Sequence, residues 1–327
     1  MPEHIEDTTT ASTCAQRSAR PSGERPGERA NRPYRGRYAP SPTGPLHLGS
    51  VIAAVASFAE AKSRGGEWLL RIDDLDRPRV MPGATGDILK TLEALGMQWD
   101  GSVVYQSARS TAYHAAFHEL RAQDRVYACR CSRREIADSS ISGAEGYVYP
   151  GTCRAGLAGK ARAWRYDTRG AAMLFDDAIQ GAVTQDIERE IGDFVLYRAD
   201  GIYAYHLAAA VDDAEQGVTH IVRGADLLIS TPRQLLLQQA LGFKRPQYAH
   251  VPVAVDARGE KLSKQTRAAP VTPAGAPAAL RAALRFLGQD LPSSAEEMSC
   301  ETLWSWVLEH WQLSRVPRVR TRCVDMD

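Results

Sequence analysis

The chain has 327 residues, 44% of them hydrophobic and 24% charged, the composition of an ordinary soluble globular protein with room for one large α/β domain or two modest ones. Forty basic residues against thirty-nine acidic ones give no global pull toward nucleic acid, so any RNA contact must come from local patches. No run of about 18 apolar residues reads as a membrane span, and no apolar segment precedes a cleavage site, so a cytoplasmic protein without membrane contact is expected.

Residues 1–33 hold Thr, Ser, Arg, Glu, Pro and Gly with almost no apolar side chains. They bury too little surface to offset the entropy of ordering, and a disordered extension is expected. Residues 34–39 read as a short strand that ends in the breaker-rich Pro40-Ser41-Pro42-Thr43-Gly44-Pro45. An alanine-rich segment of helical length follows over 49–64, and Glu67–Ile72 is a second strand candidate. Ile88, Leu89, Leu92 and Leu95 keep helical spacing, with Gly96 where a C-terminal cap belongs. A further helix is predicted over 108–123 and a strand over 126–130.

Between 129 and 185 the rhythm breaks into Gly, Ser, Tyr and Cys, as in an inserted subdomain. Strands are then predicted at 193–196, 202–207, 221–222 and 249–255, with a helix from Thr231 to Gly242 that takes Pro232 in its first turn. A Pro/Ala-rich linker, an amphipathic helix (Leu280, Leu284, Leu287, then Gly288) and a Trp-rich segment close the chain. Strands alternating with helices imply a parallel sheet with helices on both faces. The divisions are 34–128 and 186–267 for the two halves of one nucleotide-binding domain, 129–185 for the insert, and 268–327 for a helical C-terminal region.

His47-Leu48-Gly49-Ser50 falls directly after a strand and a tight turn and directly before a helix. Amides at a helix N-terminus face an anion there, Gly49 allows close backbone approach, and an imidazole can donate to phosphate oxygens. A lone histidine is more often structural. Lys261-Leu262-Ser263-Lys264-Gln265 lies after the last strand and, alone, is an exposed charged loop. Together the two form a pair able to stabilise charge on an α-phosphate as pyrophosphate leaves, with His47, Lys261 and Lys264 as the catalytic set.

Arg37-Tyr38-Ala39-Pro40-Ser41-Pro42-Thr43-Gly44 with His47-Leu48-Gly49-Ser50 resembles the class I tRNA synthetase signature in its glutamate-specific form. The lysine stretch resembles the second class I signature, with Leu and Gln where Met and Ser are commoner. The resemblance implies a Rossmann-like catalytic core that binds ATP with Mg²⁺ through His47, Gly49, Ser50 and Lys264. It implies that Arg223, helped by Tyr205, faces the side-chain carboxylate of L-glutamate, while Arg37 and Ser41 hold other parts of the ligand. Either arginine alone reads equally as half of a surface ion pair. Asp73 stands where the family usually has Glu, the acid expected to meet the substrate ammonium, and is shorter by about 1.5 Å. Asp212 and Asp213 resemble a further acidic pair near the active site, without a firm role.

Cys129-x-Cys131 and Cys153 suggest tetrahedral zinc with one ligand missing. No histidine lies between His118 and His206, and Tyr149 is the candidate fourth ligand, as in glutamate-specific members with a Cys-x-Cys…Tyr-x-x-x-Cys pattern. Three unligated thiols are the alternative. Only 62 residues follow Gln265 (327 − 265), too few for a typical independent anticodon-reading domain. This combination resembles the glutamyl-queuosine tRNA(Asp) synthetases, which attach glutamate to the queuosine base of tRNA(Asp), and a monomer is expected. The rival readings are a minimal enzyme that charges the 3′ end of tRNA(Glu), a nucleotidyltransferase, and a non-catalytic paralogue.

Overall fold

The computed structural model describes residues 33–143, 146–156, 159–262 and 269–324. The expected disordered extension lies, apart from Pro33, outside the described residues. The first half runs β1 (Arg35–Tyr38), α1 (Leu48–Ser63), β2 (Glu67–Ile72), α2 (Ala84–Ala94), β3 (Val104–Tyr105), α3 (Ser110–Ala122) and β4 (Val126–Cys129). The middle adds α4 (Arg133–Ser139), β5 (Ser142–Gly143), β6 (Gly146–Tyr147), β7 (Ala163–Tyr166), β8 (Ala172–Asp177), β9 (Gly181–Asp186), α5 (Ile187–Glu190) and β10 (Val195–Tyr197). Then follow α6 (Tyr205–Glu215), β11 (His220–Gly224), α7 (Thr231–Ala240), β12 (Gln247–Val251), β13 (Val253–Val255), α8 (Ala276–Phe286), α9 (Cys300–His310) and β14 (Thr321–Cys323).

β1 pairs parallel with β2, and β2 with β3. β11 pairs parallel with β12, and β12 meets β8 at Tyr248↔Asp177, at the end of the antiparallel β8–β9 hairpin. The two sheets meet where Thr219 N donates to Arg35 O at 2.9 Å and Arg35 N donates to Thr219 Oγ1 at 2.8 Å. The chain therefore leaves β1 through β2 and β3 on one side and returns as β11 and β12 on the other. A crevice opens at such a reversal, beyond the carboxyl ends of the strands, and is the usual ligand site of an open α/β sheet.

Helix α1 is the pillar of the core. Its Ala54, Ala56, Ala59 and Ala61 are fully buried, and their small side chains let β1, β11 and α8 approach closely. Gly96 and Gly288, read as helix stops, hold φ of 73° and 72°, a left-handed conformation that costs glycine little. The C-terminal helices dock on this core through indoles: Trp304 Nε1 donates to Leu95 O and Trp311 Nε1 to Glu60 Oε2, each at 2.7 Å. β14 pairs parallel with β13, so the last described segment braces the strand that leads to Lys261.

Two expectations are corrected. The strand predicted over 202–207 is absent; Tyr203 makes a single bridge to Tyr197, and helix α6 begins at Tyr205. Alternating Tyr and Ala mimic a strand there, but the following Leu207-Ala208-Ala209-Ala210-Val211 favours helix and is buried throughout. The strand predicted over 249–255 is broken at Pro252, which has no N–H to offer a ladder. No helix among the described residues is long and apolar enough to cross a membrane.

Candidate active site

The crevice between the ends of β1 and β11 is a cleft of about 780 Å³. Arg37 and Ser41 enter it from β1 and the turn beyond, His47, Gly49 and Ser50 from the mouth of α1, and Arg223 from β11. Tyr205 reaches it from the start of α6 and Lys261 from beyond β13. One cleft thus gathers residues that lie up to 224 positions apart (261 − 37). Lys264 lies outside the described residues.

At the α1 end, the helix has no acidic residue in its first turn, so no side chain of that turn offsets the positive end of its dipole. His47 Nε2 and Ser50 Oγ are 3.0 Å apart, which steadies the imidazole. A Cβ at position 49 would lie 3.1 Å from the His47 ring and 3.1 Å from Leu262 O. Gly49 suits the place because a side chain there would crowd both the His47 ring and the Leu262 carbonyl. Lys261 Nζ donates to Asp226 Oδ2 at 2.5 Å, so this lysine is held at the rim by the acid of Arg223-Gly224-Ala225-Asp226.

At the other end, Arg223 is 5% exposed and its guanidinium is pinned at two nitrogens. Nε donates to His250 Nε2 at 3.0 Å, and Nη2 donates to Thr231 Oγ1 at 2.8 Å. Nη1 is buried with no partner among the described residues. A buried charged donor without an acceptor is costly, and a carboxylate in the cleft would satisfy it. Asp73 does not line the main cleft. It lines an adjoining cavity of about 350 Å³ that shares Ser41 and Tyr205 with it.

Asp73 belongs to a buried ionic network. Arg71 Nε donates to Asp73 Oδ1 at 2.8 Å and Nη1 to Asp213 Oδ1 at 2.7 Å, while Arg37 Nε donates to Asp213 Oδ1 at 3.2 Å. Asp212 accepts from Gln106 Nε2 at 2.8 Å and from Tyr113 OH at 2.9 Å. Burial pushes the Asp73 carboxyl up to about 6 despite the pull of Arg71. Burial also opposes charge on Asp213, but Arg37 and Arg71 outweigh it and hold that carboxyl below the ordinary range. Asp213 thus holds Arg37 of the cleft and Arg71 behind it, while Asp212 ties α6 to Gln106 and Tyr113.

His250 and Asp177 lie outside the sequence motifs. His250 carries one signal, a polar residue among the apolar buried positions of β12, as Arg71 does in β2. Asp177, which pairs with His250 Nδ1 at 2.6 Å, carries none.

Away from the cleft, the thiols of Cys129, Cys131 and Cys153 lie within 4.8 Å of one another. Tyr149 OH is 3.4 Å from Cys129 Sγ and 3.5 Å from Cys131 Sγ, and Cys131 and Cys153 are 3.6 Å apart. Ligands about 2.0–2.3 Å from a tetrahedral zinc stand roughly 3.5–3.8 Å from each other, so these four donors fit that ion. Arg165 Nε approaches Cys129 Sγ at 3.4 Å and its guanidinium lies 4.0 Å from the Tyr149 ring centre, a partner for thiolate charge.

The family profile described as class I tRNA synthetases (E and Q), catalytic domain, matches residues 34–147 and 158–291. The chain is 54% identical over 292 residues to a protein of Dechloromonas aromatica named Glutamyl-Q tRNA(Asp) synthetase, spanning 88% of this chain and 97% of the relative. A protein of the same name from Chromobacterium violaceum is 56% identical over 290 residues, with the same two spans, 88% and 97%. Among solved structures, the glutamate-tRNA synthetase of Elizabethkingia anophelis superposes with a TM-score of 0.73 at 25% identity, covering 90% of this chain and 68% of the other. The glutamate tRNA ligase of Elizabethkingia meningosepticum, in complex with its amino acid, gives a TM-score of 0.73 at 24% identity over 90% of this chain and 67% of the other, and so bears on the fold.

Proposed function

Because the chain belongs to the glutamyl-Q tRNA(Asp) synthetases, a family built on the class I tRNA synthetase catalytic domain, we propose that it activates glutamate with ATP and passes the glutamyl group to the queuosine base of tRNA(Asp). One observation carries the reading. A single cleft holds, at one end, a helix mouth with His47 suited to phosphate and, at the other, Arg223 Nη1, without a partner among the described residues and suited to a carboxylate.

In the first step an oxygen of the glutamate α-carboxylate attacks the α-phosphorus of ATP. The bond to the bridging oxygen breaks, and pyrophosphate leaves with the electron pair. The amides of Gly49 and Ser50 face the phosphates, and His47, Lys261 and Lys264 donate to the charge that builds on them. Lys261 exchanges Asp226 for phosphate oxygens as it does so. Arg223 Nη1 and Tyr205 hold the side-chain carboxylate, Arg37 and Ser41 the remaining polar groups, and the ammonium turns toward Asp73. In the second step a queuosine hydroxyl attacks the carbonyl carbon of the mixed anhydride. AMP departs, and the hydroxyl proton passes to solvent. No protein nucleophile is required.

Mg²⁺ that accompanies ATP supplies neutralisation of the triphosphate charge. Cys129, Cys131, Tyr149 and Cys153 would hold Zn²⁺ as a brace for the insert, outside the chemistry. A cytoplasmic enzyme is the corresponding expectation, since tRNA and ATP are its substrates.

The test is exchange of labelled pyrophosphate into ATP without tRNA, expected with glutamate and not with glutamine. Labelled glutamate is then offered with queuosine-containing tRNA(Asp), the same tRNA lacking queuosine, and tRNA(Glu). Absence of glutamate-dependent exchange removes the activation reading. Transfer to tRNA(Glu) alone removes the acceptor.

A further inference from the structure

We propose that Asp177 and His250 are positioning residues for glutamate: they fix the plane of the Arg223 guanidinium so that its open nitrogen faces the substrate's side-chain carboxylate. The proposal rests on the reading of Arg223 given above.

Three strands supply the chain of bonds. Asp177, at the end of β8, accepts at Oδ1 from the amides of Ile179, Gln180 and His250 at 3.0, 2.9 and 3.0 Å. Those three donors fix the carboxylate and aim Oδ2 at His250 Nδ1, 2.6 Å away. The side chains of both residues are wholly buried. An ionised carboxylate only accepts, so Nδ1 carries the proton and Nε2 of the neutral ring keeps its lone pair. That lone pair accepts from Arg223 Nε at 3.0 Å. Thr231 Oγ1 takes Nη2, and because both N–H bonds lie in the guanidinium plane, two acceptors fixed on a strand and a helix set that plane.

Burial holds the His250 imidazole down to about 4, so it stays neutral and an acceptor at neutral pH. Neither Asp177 nor His250 lines the cleft, and each acts through the residue it holds. The pairing of β8 with β12, at Tyr248↔Asp177, brings the acid to the histidine.

The tautomer provides the test. In Asp177→Asn the side chain keeps its shape and can still accept the three amides, but it presents N–H toward Nδ1. The imidazole must then accept at Nδ1 and carry its proton on Nε2, facing Arg223 Nε–H. Two donors oppose each other, and a change of this kind leaves geometry in place while reversing the histidine. In pyrophosphate exchange the KM for glutamate is expected to rise roughly 10–100-fold, the scale of losing a hydrogen bond to a charged group. The KM for ATP is expected to stay put, and preference for glutamate over glutamine to fall.

His250→Phe, with neither donor nor acceptor, should behave likewise. His250→Gln offers one of each in a single amide and should recover most of the loss. If Asp177→Asn fails to fold, the His250→Gln and His250→Phe pair carries the comparison. A glutamate KM within about threefold of wild type in both Asp177→Asn and His250→Phe overturns the proposal. So does a joint change in both KM values with loss of the fold, which marks a purely structural role. A wild-type protein without glutamate-dependent exchange instead removes the activation reading, and the positioning role with it; an active wild type with indifferent variants removes the positioning role alone.

Discussion

The 3.0 Å separation of His47 and Ser50 holds the imidazole at the mouth of α1, and on the proposed reading this donor is in place without reorganisation. His47→Ala is expected to leave the thermal midpoint unchanged and to cut glutamate-dependent pyrophosphate exchange by about 10²–10³-fold, the scale of losing one well-aimed donor. Asp73 faces a conflict of another kind. Burial pushes its carboxyl up to about 6, above the ordinary carboxylate value, so the stability tied to it is fully present below that ordinary value and is lost as pH rises through 6. Binding a substrate ammonium requires the charged form, so affinity gains where stability declines. The KM for glutamate should therefore rise as pH falls below 6, by about tenfold per unit for one proton, while His250, held to about 4, stays neutral in that window. Asp73→Asn should raise the KM at pH 8 and flatten the profile; a profile as steep as wild type assigns the proton to another group.

Among elements, the insert is the clearest case of a fold detail that a metal would complete. Three thiols and a phenol at tetrahedral spacing repel one another once deprotonated, and Arg165 answers only part of that charge. Elemental analysis is expected to find zinc in the purified chain and none in Cys153→Ala, with the variant more readily cut by protease within 129–166 and pyrophosphate exchange retained. What could be read from the sequence follows the same division. The strand–turn–helix around His47 was legible because its residues are consecutive and its breakers mark the turn. The cysteines were legible through their spacing. Helix α6 was not, since alternating Tyr and Ala at its start imitate a strand, and with it went the placement of Asp212 and Asp213 on a buried helix. The bond between Asp177 and His250 spans 73 positions, and no local period encodes such a pair. The correction at Pro252 has a simple cause, the missing N–H.

At the scale of the whole molecule, the C-terminal helices belong to the catalytic core's packing. Trp304 fills the space beside Gly96, stands edge-on to Phe58 and donates to Leu95 O. Trp304→Ala should cost about 3–5 kcal/mol in chemical denaturation, as for other buried aromatics cut to alanine. A loss below about 1 kcal/mol, the level of a surface change, would mean that the helix does not share the core's cooperativity.

The pairing of β14 with β13 has a consequence for handling the protein. β13 finds its parallel ladder in β14, along Val253↔Thr321 to Val255↔Cys323. Trimming the polypeptide before Thr321 would bare an apolar edge beside the cleft, and bare edges recruit strands from neighbouring molecules. Such a trimmed protein is expected to cloud on concentration, visible by light scattering, at temperatures where its turnover is still intact.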